Sequence, residues 1–255
     1  MQSNGDVAFF PSFEISPDSL RVVYVADAET FDVDELFSAR TTGGDDPVRL
    51  SGVLPSGVVV TDFRISPDSQ RVVFRAGQSI SPYDLYSAPI AGGGVIKLNA
   101  PLVSGGDLSF FRISADSQRV VYWADQQTDG VDELYSVPIA GGGATKLNGP
   151  LRSSGDVVNF AMSPDSQRVV YYADQQTDEV GEIYSVPIGG GSVTKLNGPL
   201  VSGGAVSSLF QISPDSQRVV YHADQETDAQ FELFATFDDS LLNLDFKVHL
   251  PVIID

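Results

Sequence analysis

An all-β chain built from repeated antiparallel sheets is what this sequence predicts, and three observations predict it. The first is a stretch, Ile-Ser-Pro-Asp-Ser-Gln-Arg-Val-Val-Tyr, that recurs five times along the 255 residues. It stands at 15–24 (with Leu20 for Gln), 65–74 (ending in Phe74), 113–122 (with Ala115 for Pro), 162–171 (opening on Met162) and 212–221. Its central aspartates, Asp18, Asp68, Asp116, Asp165 and Asp215, are spaced by 48–50 residues, and a period of that length marks a propeller or solenoid. The second observation is that each unit consists of short β-branched and aromatic runs separated by Gly, Pro, Asn and Asp clusters. The third is that no segment sustains a 3.6-residue apolar period with caps, so almost no helix is expected.

The units run roughly 5–56, 57–105, 106–154, 155–203 and 204–255, and the fourth is the clearest. Its Val157–Met162 is extended and apolar and predicts a first strand. Ser-Pro-Asp-Ser then suits a tight turn, since Pro164 presets φ and Asp165 and its flanking serines can bond nearby amides. Arg168–Ala173 predicts a second strand, apolar on both faces and so covered on both, as when sheets stack. An acidic loop, 174–181, leads to a third strand at Glu182–Ile188. Gly189–Gly191 form a turn where positive φ is cheap for glycine. Val193–Leu196 predicts the fourth strand, ended by Asn197-Gly198-Pro199.

Four short strands per unit of this length predict a blade, and the whole chain, 1–255, is expected to be a single β-propeller domain of five four-stranded antiparallel blades. A ring of blades buries faces that one blade would expose and removes the open sheet edge; a fragment of a larger ring is the alternative. The terminal units are atypical: the first has Thr41–Asp46 for the glycine turn, and the fifth loses that turn and the Lys-Leu-Asn segment. Leu241–Phe246 is the candidate fourth strand there, followed by an apolar tail from His249 to Ile254.

Composition narrows the function. The net charge of -19, from 34 acidic and 15 basic residues, repels a phosphate backbone and argues against nucleic acid. No run reaches the about 18 apolar residues of a membrane helix, so membrane insertion is not expected. The absence of cysteine removes disulfides, thiolate catalysis and thiolate metal sites. The first residues lack the basic and apolar regions of a signal peptide, which leaves a cytosolic protein or a removed leader.

These residues resemble a known repeat. Ile-Ser-Pro-Asp-Ser-x-Arg-Val-Val-Tyr-x-Ala-Asp, a polar loop, Glu-Ile/Leu-Tyr-Ser-Val, a glycine turn and Lys-Leu-Asn are similar to the TolB-like, WD-like propeller repeat over about nine-tenths of the chain. The sequence departs from that pattern in having Ser19, Ser69, Ser117, Ser166 and Ser216 where the repeat usually has Gly, and in its longer period. Such propellers occur as periplasmic binding scaffolds, as gating domains of serine peptidases and in secreted proteins. The resemblance implies a non-enzymatic scaffold, periplasmic or extracellular, binding a protein, peptide or glycan partner. It does not choose the partner. A monomer is expected.

Comparison among the units marks the candidate sites. An aromatic recurs at Phe13, Phe63, Phe111, Phe160 and Phe210 and is expected to wedge between neighbouring blades. Arg21, Arg71, Arg119, Arg168 and Arg218 are expected to pair with the turn aspartates or cover backbone carbonyls. The position after the second-strand Tyr/Phe varies freely: Val25, Arg75, Trp123, Tyr172 and His222. Arg75, Trp123, Tyr172 and His222 are therefore candidate partner-binding residues, of types enriched in binding hot spots, against the alternative of packing between unequal blades. Flanking the recurrent Phe, the sequence also varies at Ser12, Asp62, Phe110, Asn159 and Leu209 before it and at Glu14, Arg64, Arg112, Ala161 and Gln211 after it.

The loops after the second strand are acidic, with Asp27, Asp32, Asp34 and Glu35 in the first unit and Asp125, Asp129, Asp132 and Glu133 in the third. Asp174, Asp178 and Glu182, and Asp224, Asp228 and Glu232, follow in the last two units. Asp125, Asp129, Asp132 and Glu133 are a candidate Ca²⁺ set, since Ca²⁺ takes six to eight oxygens. The spacing is not that of a dedicated loop, and turn capping with solvated charge is the other reading. No other cofactor is implied.

No Gly-x-Ser-x-Gly, His-Glu-x-x-His or phosphate loop is present, and His222 and His249 lack evident partners, so no catalytic residue is assigned. Carboxylates from different blades could converge for glycoside hydrolysis. A hydrolase or lyase of that kind is one alternative function, and the gating propeller of a longer serine peptidase is another.

Overall fold

A computed structural model of the chain describes residues 13–27, 33–54, 57–78, 82–152 and 155–237. The candidate strand Leu241–Phe246, the tail from His249, and Asp32 and Ser12 lie outside the described residues. All regular structure among the described residues is β, in five antiparallel sheets whose strands follow one another in chain order.

The first sheet holds β1 (Phe13–Ile15), β2 (Arg21–Ala26), β3 (Glu35–Arg40) and β4 (Val48–Arg49), and the second β5 (Val58–Ile65), β6 (Arg71–Gln78), β7 (Tyr83–Pro89) and β8 (Ile96–Lys97). The third has β9 (Leu108–Ile113), β10 (Arg119–Ala124), β11 (Glu133–Pro138) and β12 (Thr145–Lys146). The fourth has β13 (Val157–Met162), β14 (Arg168–Thr177), β15 (Val180–Pro187) and β16 (Thr194–Lys195), and the fifth shows β17 (Val206–Ile212), β18 (Arg218–Ala223) and β19 (Glu232–Phe237). The predicted strands are present within a residue or two at most boundaries. The fourth unit's acidic loop is a difference: β14 runs on to Thr177, which pairs with Val180, so the loop shrinks to a turn in which Glu179 takes φ 60°.

Two compact units divide the chain, residues 1–130 with 137–144 and residues 131–136 with 145–255. In the first, one apolar cluster joins β2 and β3 to β5 and β6, with Val23, Leu36, Phe63, Val72 and Phe74 no more than 2% exposed. In the second, Val170, Ile183, Val206, Val219, Tyr221 and Phe234 do the same for the fourth and fifth sheets. Full burial of each such side chain contributes roughly 1.5–3 kcal/mol. The second strands are covered on both faces as their sequence predicts: Val72, Val73 and Phe74 are all inaccessible. The recurrent aromatic is core in Phe63, Phe111 and Phe160, half-buried in Phe210, and exposed in Phe13.

The five-fold repeat is a turn with a fixed polar scheme. In the first copy Ser16 Oγ donates to Asp18 Oδ1 (2.6 Å) and accepts from the Arg21 amide (2.9 Å), while Asp18 Oδ1 accepts from Leu20 N–H (3.0 Å). The same bonds recur at Ser66, Ser114, Ser163 and Ser213. The recurrent arginines have a partner beyond the turn aspartates. Arg21, Arg71 and Arg168 each donate through Nε to the third-strand serine, Ser38, Ser87 or Ser185, at 2.8 Å, while Arg218 pairs with its turn aspartate, Asp215, at 3.3 Å. A half-buried guanidinium beside a buried hydroxyl ties the second strand to the third at its start.

The serines standing in place of glycine have a structural reason. Ser19, Ser69, Ser117, Ser166 and Ser216 all sit at φ 60–62°, the left-handed region that disfavours a side chain. Ser69 Oγ accepts from Asp18 N–H, Ser117 Oγ from Asp68 N–H and Ser216 Oγ from Asp165 N–H, each at 3.0 Å. Each hydroxyl thus satisfies an amide of the preceding sheet, which a glycine there could not do.

Candidate functional site

The two sets of variable positions are one set in space. The residue before the recurrent Phe lies directly across the ladder from the residue after the second-strand Tyr/Phe: Asp62 opposite Arg75, Phe110 opposite Trp123, Asn159 opposite Tyr172. A pair on adjacent antiparallel strands puts both side chains on one face, within contact distance. Its divergence between units is therefore a divergence of a patch.

Within the first unit, Arg75 is half-buried and bonded. Its Nε donates to Thr61 Oγ1 (3.0 Å), its Nη1 to the Ser109 carbonyl of β9 (2.8 Å), and its guanidinium lies 4.7 Å from the Tyr83 ring centre. Arg75 thereby bridges the second sheet to the first strand of the third. Trp123 packs on Phe110 at 5.2 Å with the rings tilted by 37°, and the exposed Arg112 guanidinium lies over the same Phe110 ring, 5.2 Å from its centre. Trp, Phe and Arg form a partly exposed cluster at the same strand β9 that Arg75 reaches.

Within the second unit, Tyr172 lies over Gly181, where any side-chain carbon would collide with its ring and hydroxyl. Burial, with Asp174 nearby, raises its phenol above the ordinary range. Across from it, Asn159 Nδ2 donates to the Ser208 carbonyl of β17 (3.0 Å), the counterpart of the Arg75 bridge. His222 stacks on Phe231 at 4.8 Å and lines, with Asn159, Leu209, Phe210 and Leu233, an open cleft of about 500 Å³. Val25, the first-unit counterpart, is buried.

The acidic loops have mainly backbone partners. Asp125 accepts from Asp107 N–H and from Gly130 N–H (2.9 Å). Asp174 accepts from Asp156 N–H (2.6 Å), and Asp224 from Ala205 N–H and Ala229 N–H (2.9 Å). These amide bonds, chiefly that from Ala205, hold the Asp224 carboxyl below the usual carboxylate range. Asp129 packs against Gly105, and Asp132 donates its own N–H to Asp156 Oδ1 (2.8 Å). Glu133 is buried, paired with Lys146 and accepting from Tyr135 O–H (2.6 Å). Among the described residues no group of three or more His, Cys, Asp or Glu side chains gathers as a metal would require.

Two residues that sequence reasoning missed are Asp107 and Asp156. Asp107 Oδ1 accepts from Tyr83 N–H (2.7 Å) and Asp156 Oδ1 from Asp132 N–H, so each clasps the loop of the preceding sheet. The Gly-Asp preceding the first strand at 106–107 and 155–156 was the available signal.

No family model matches this sequence, and no curated protein matches it. Solved structures do. A putative TolB from Agrobacterium tumefaciens is 18% identical, with 89% of this chain and 76% of that one covered and a TM-score of 0.49. A eukaryotic initiation factor is 11% identical over 90% of this chain and 51% of that one, with a TM-score of 0.60. A putative dipeptidyl aminopeptidase IV from Bacteroides ovatus is 10% identical over 91% and 40%, with a TM-score of 0.57. The chain thus spans about half or less of the length of the last two. At these identities the likeness is one of fold. That fold, read with the five antiparallel sheets that follow one another along the chain, is one of β-propeller blades.

Proposed function

We propose that this chain is a non-enzymatic binding module that recognises a protein partner through the divergent cross-strand pairs, with the Trp123–Phe110–Arg112 cluster as its anchor. The carrying observation is that the units differ where two facing side chains form one patch, whereas the repeated polar residues are engaged in turns and in ties between sheets. Trp and Arg with apolar neighbours are the residue types that dominate binding energy at interfaces. Arg75 belongs to the frame and Trp123 to the recognition surface of its own unit, while His222 lines the open cleft of the other unit. The acidic loops serve as amide acceptors, so Ca²⁺ has no part in this reading; calorimetric titration with Ca²⁺ after chelation tests that. A site outside the cytoplasm agrees with the resemblance to TolB. No helix among the described residues is long and apolar enough to cross a membrane.

The test is quantitative binding, by surface plasmon resonance, of a partner identified through crosslinking at an azido-phenylalanine placed at 110. Trp123→Ala lowers affinity at least about tenfold and leaves the melting temperature nearly unchanged, as expected for a hot-spot residue. Intact binding with a collapsed melting temperature refutes the reading. A second reading, the propeller of a longer peptidase, is favoured by the likeness to the Bacteroides ovatus protein, of which this chain covers 40%. A Gly-x-Ser-x-Gly segment downstream in the reading frame decides for it.

A further inference from the structure

Sheets three, four and five fill the space beside their second-strand aromatic in one way. Tyr122, Tyr171 and Tyr221 donate to Gln126, Gln175 and Gln225 at 2.9, 2.8 and 3.2 Å. Those amides turn inward against the chain leaving the preceding sheet: in the fourth sheet Gln175 Oε1 accepts from Gly149 N–H at 3.0 Å, and in the fifth Gln225 lies against Gly198. Gln126 and Gln225 are 6% and 4% exposed as a result.

The second sheet departs at each of these places. Phe74 has no hydroxyl to give. Gly77 stands where Asp125, Asp174 and Asp224 stand, and a side chain there would meet the Pro82 carbonyl at 2.3 Å. Gln78, instead of turning inward, continues β6 opposite Val58 and is exposed. The third-strand glutamate is shortened to Asp84. Tyr86, stacked on Phe74 at 5.4 Å, is only partly buried, whereas its counterparts Tyr135 and Tyr184 are 1% exposed. The outcome is a cleft of about 680 Å³ bounded by β6–β8 and the chain at Ser51–Leu54. That lies within the roughly 300–1,000 Å³ of small-ligand sites.

We propose that this cleft binds a neutral saccharide of one or two units. Its charge balance favours a neutral ligand over an ion. Asp84, the carboxylate of the lining, pairs through Oδ2 with Lys97 Nζ (2.8 Å), and its side chain accepts from Asn99 Nδ2 at Oδ1 (2.9 Å) and from the Tyr86 hydroxyl, so its charge is already compensated. The chain's charge of -19 repels an anion. What remains is a lining of apolar Val58 and Val95 and the Tyr86 ring together with the ammonium of Lys97, the amide of Gln78 and the Tyr86 hydroxyl, which donates to Asp84 and can still accept. A sugar ring presents C–H faces to such a wall and hydroxyls to such a cluster, and Lys97, with three donor hydrogens, has some to spare beyond Asp84. The site is separate from the partner-recognition patch, and its fate is independent of that proposal.

Amide-resolved NMR titration of the whole chain with methyl glucoside, methyl mannoside, methyl N-acetylglucosaminide and cellobiose tests it, with p-cresol as the non-saccharide probe. At least one saccharide produces saturable shifts at Gly52, Gly77 and Lys97, with a Kd on the order of 1 mM. Val95→Trp, which fills the cleft, abolishes them, and Tyr86→Phe, which retains the ring, weakens them roughly 3–10-fold, the loss of one hydrogen bond. No saturable shift with any saccharide, binding of p-cresol alone, or shifts that persist unchanged in both variants overturns the proposal.

Discussion

Replacing Ser69 tests the account of why serine occupies a backbone position that suits glycine. Ser69 is 4% exposed, sits at φ 60°, and its hydroxyl accepts from Asp18 N–H of the preceding sheet at 3.0 Å. In Ser69→Ala the strain stays and the amide loses its acceptor, which costs about 1–3 kcal/mol. In Ser69→Gly the same bond is lost, but relief of the left-handed conformation returns roughly 1–2 kcal/mol. The greater freedom of the unfolded glycine chain takes back about 0.5–1 kcal/mol. The glycine variant is therefore less destabilised than the alanine variant, by up to about 1.5 kcal/mol. Ser19 is the internal control. It has the same φ but is exposed, and none of the described hydrogen bonds places an amide on its hydroxyl, so Ser19→Gly is neutral or stabilising. Equilibrium urea denaturation of the four proteins, the alanine variant, the two glycine variants and the parent, gives the differences directly. A Ser69→Ala protein as stable as the parent, or a glycine variant less stable than the alanine one, refutes the reasoning.

Other outcomes follow from the same geometry. Glu35 is 1% exposed and its Oε2 has no partner, because Phe37 stands where Tyr135 and Tyr184 donate to Glu133 and Glu182; Phe37→Tyr supplies that bond and raises stability by about 1 kcal/mol, read as a higher urea midpoint. Asp224, with its carboxyl held below 3.8 by amide bonds, contributes stability that is complete above about pH 4 and is lost as pH falls through the folded value. Asp224→Asn accordingly lowers the melting temperature at neutral pH and flattens its decline below pH 4; an unchanged acid limb counts against that role. Arg75→Ala removes the tie to the Ser109 carbonyl and lowers the melting temperature, in contrast to Trp123→Ala, as thermal denaturation followed by circular dichroism will show.

The sheets were legible because their causes are local and repeated. Alternating β-branched runs, Ser-Pro-Asp turns and glycine turns act over four to eight residues, and five copies average out the accidents of any one. The arginine partners were not legible in the same way. Nothing nearby in sequence says that Arg168 bonds Ser185, since that contact depends on the register of β14 against β15. The acidic loops were ambiguous for a related reason: carboxylate clusters look alike in sequence whether they face a cation or a row of backbone amides.

By itself, then, the sequence determined the fold class, the repeat boundaries and the positions at which the units diverge, all of which follow from pattern and period. Tertiary structure decided what those positions do. It set Asp62 across from Arg75 and Phe110 across from Trp123, turned left-handed serines into acceptors for the preceding sheet, and opened a cleft where Phe74, Gly77 and Asp84 replace longer or more polar residues. Each of these depends on residues about 50 apart or on facing strands being brought within a few ångströms, and that distance is settled by register and sheet packing, not by local sequence.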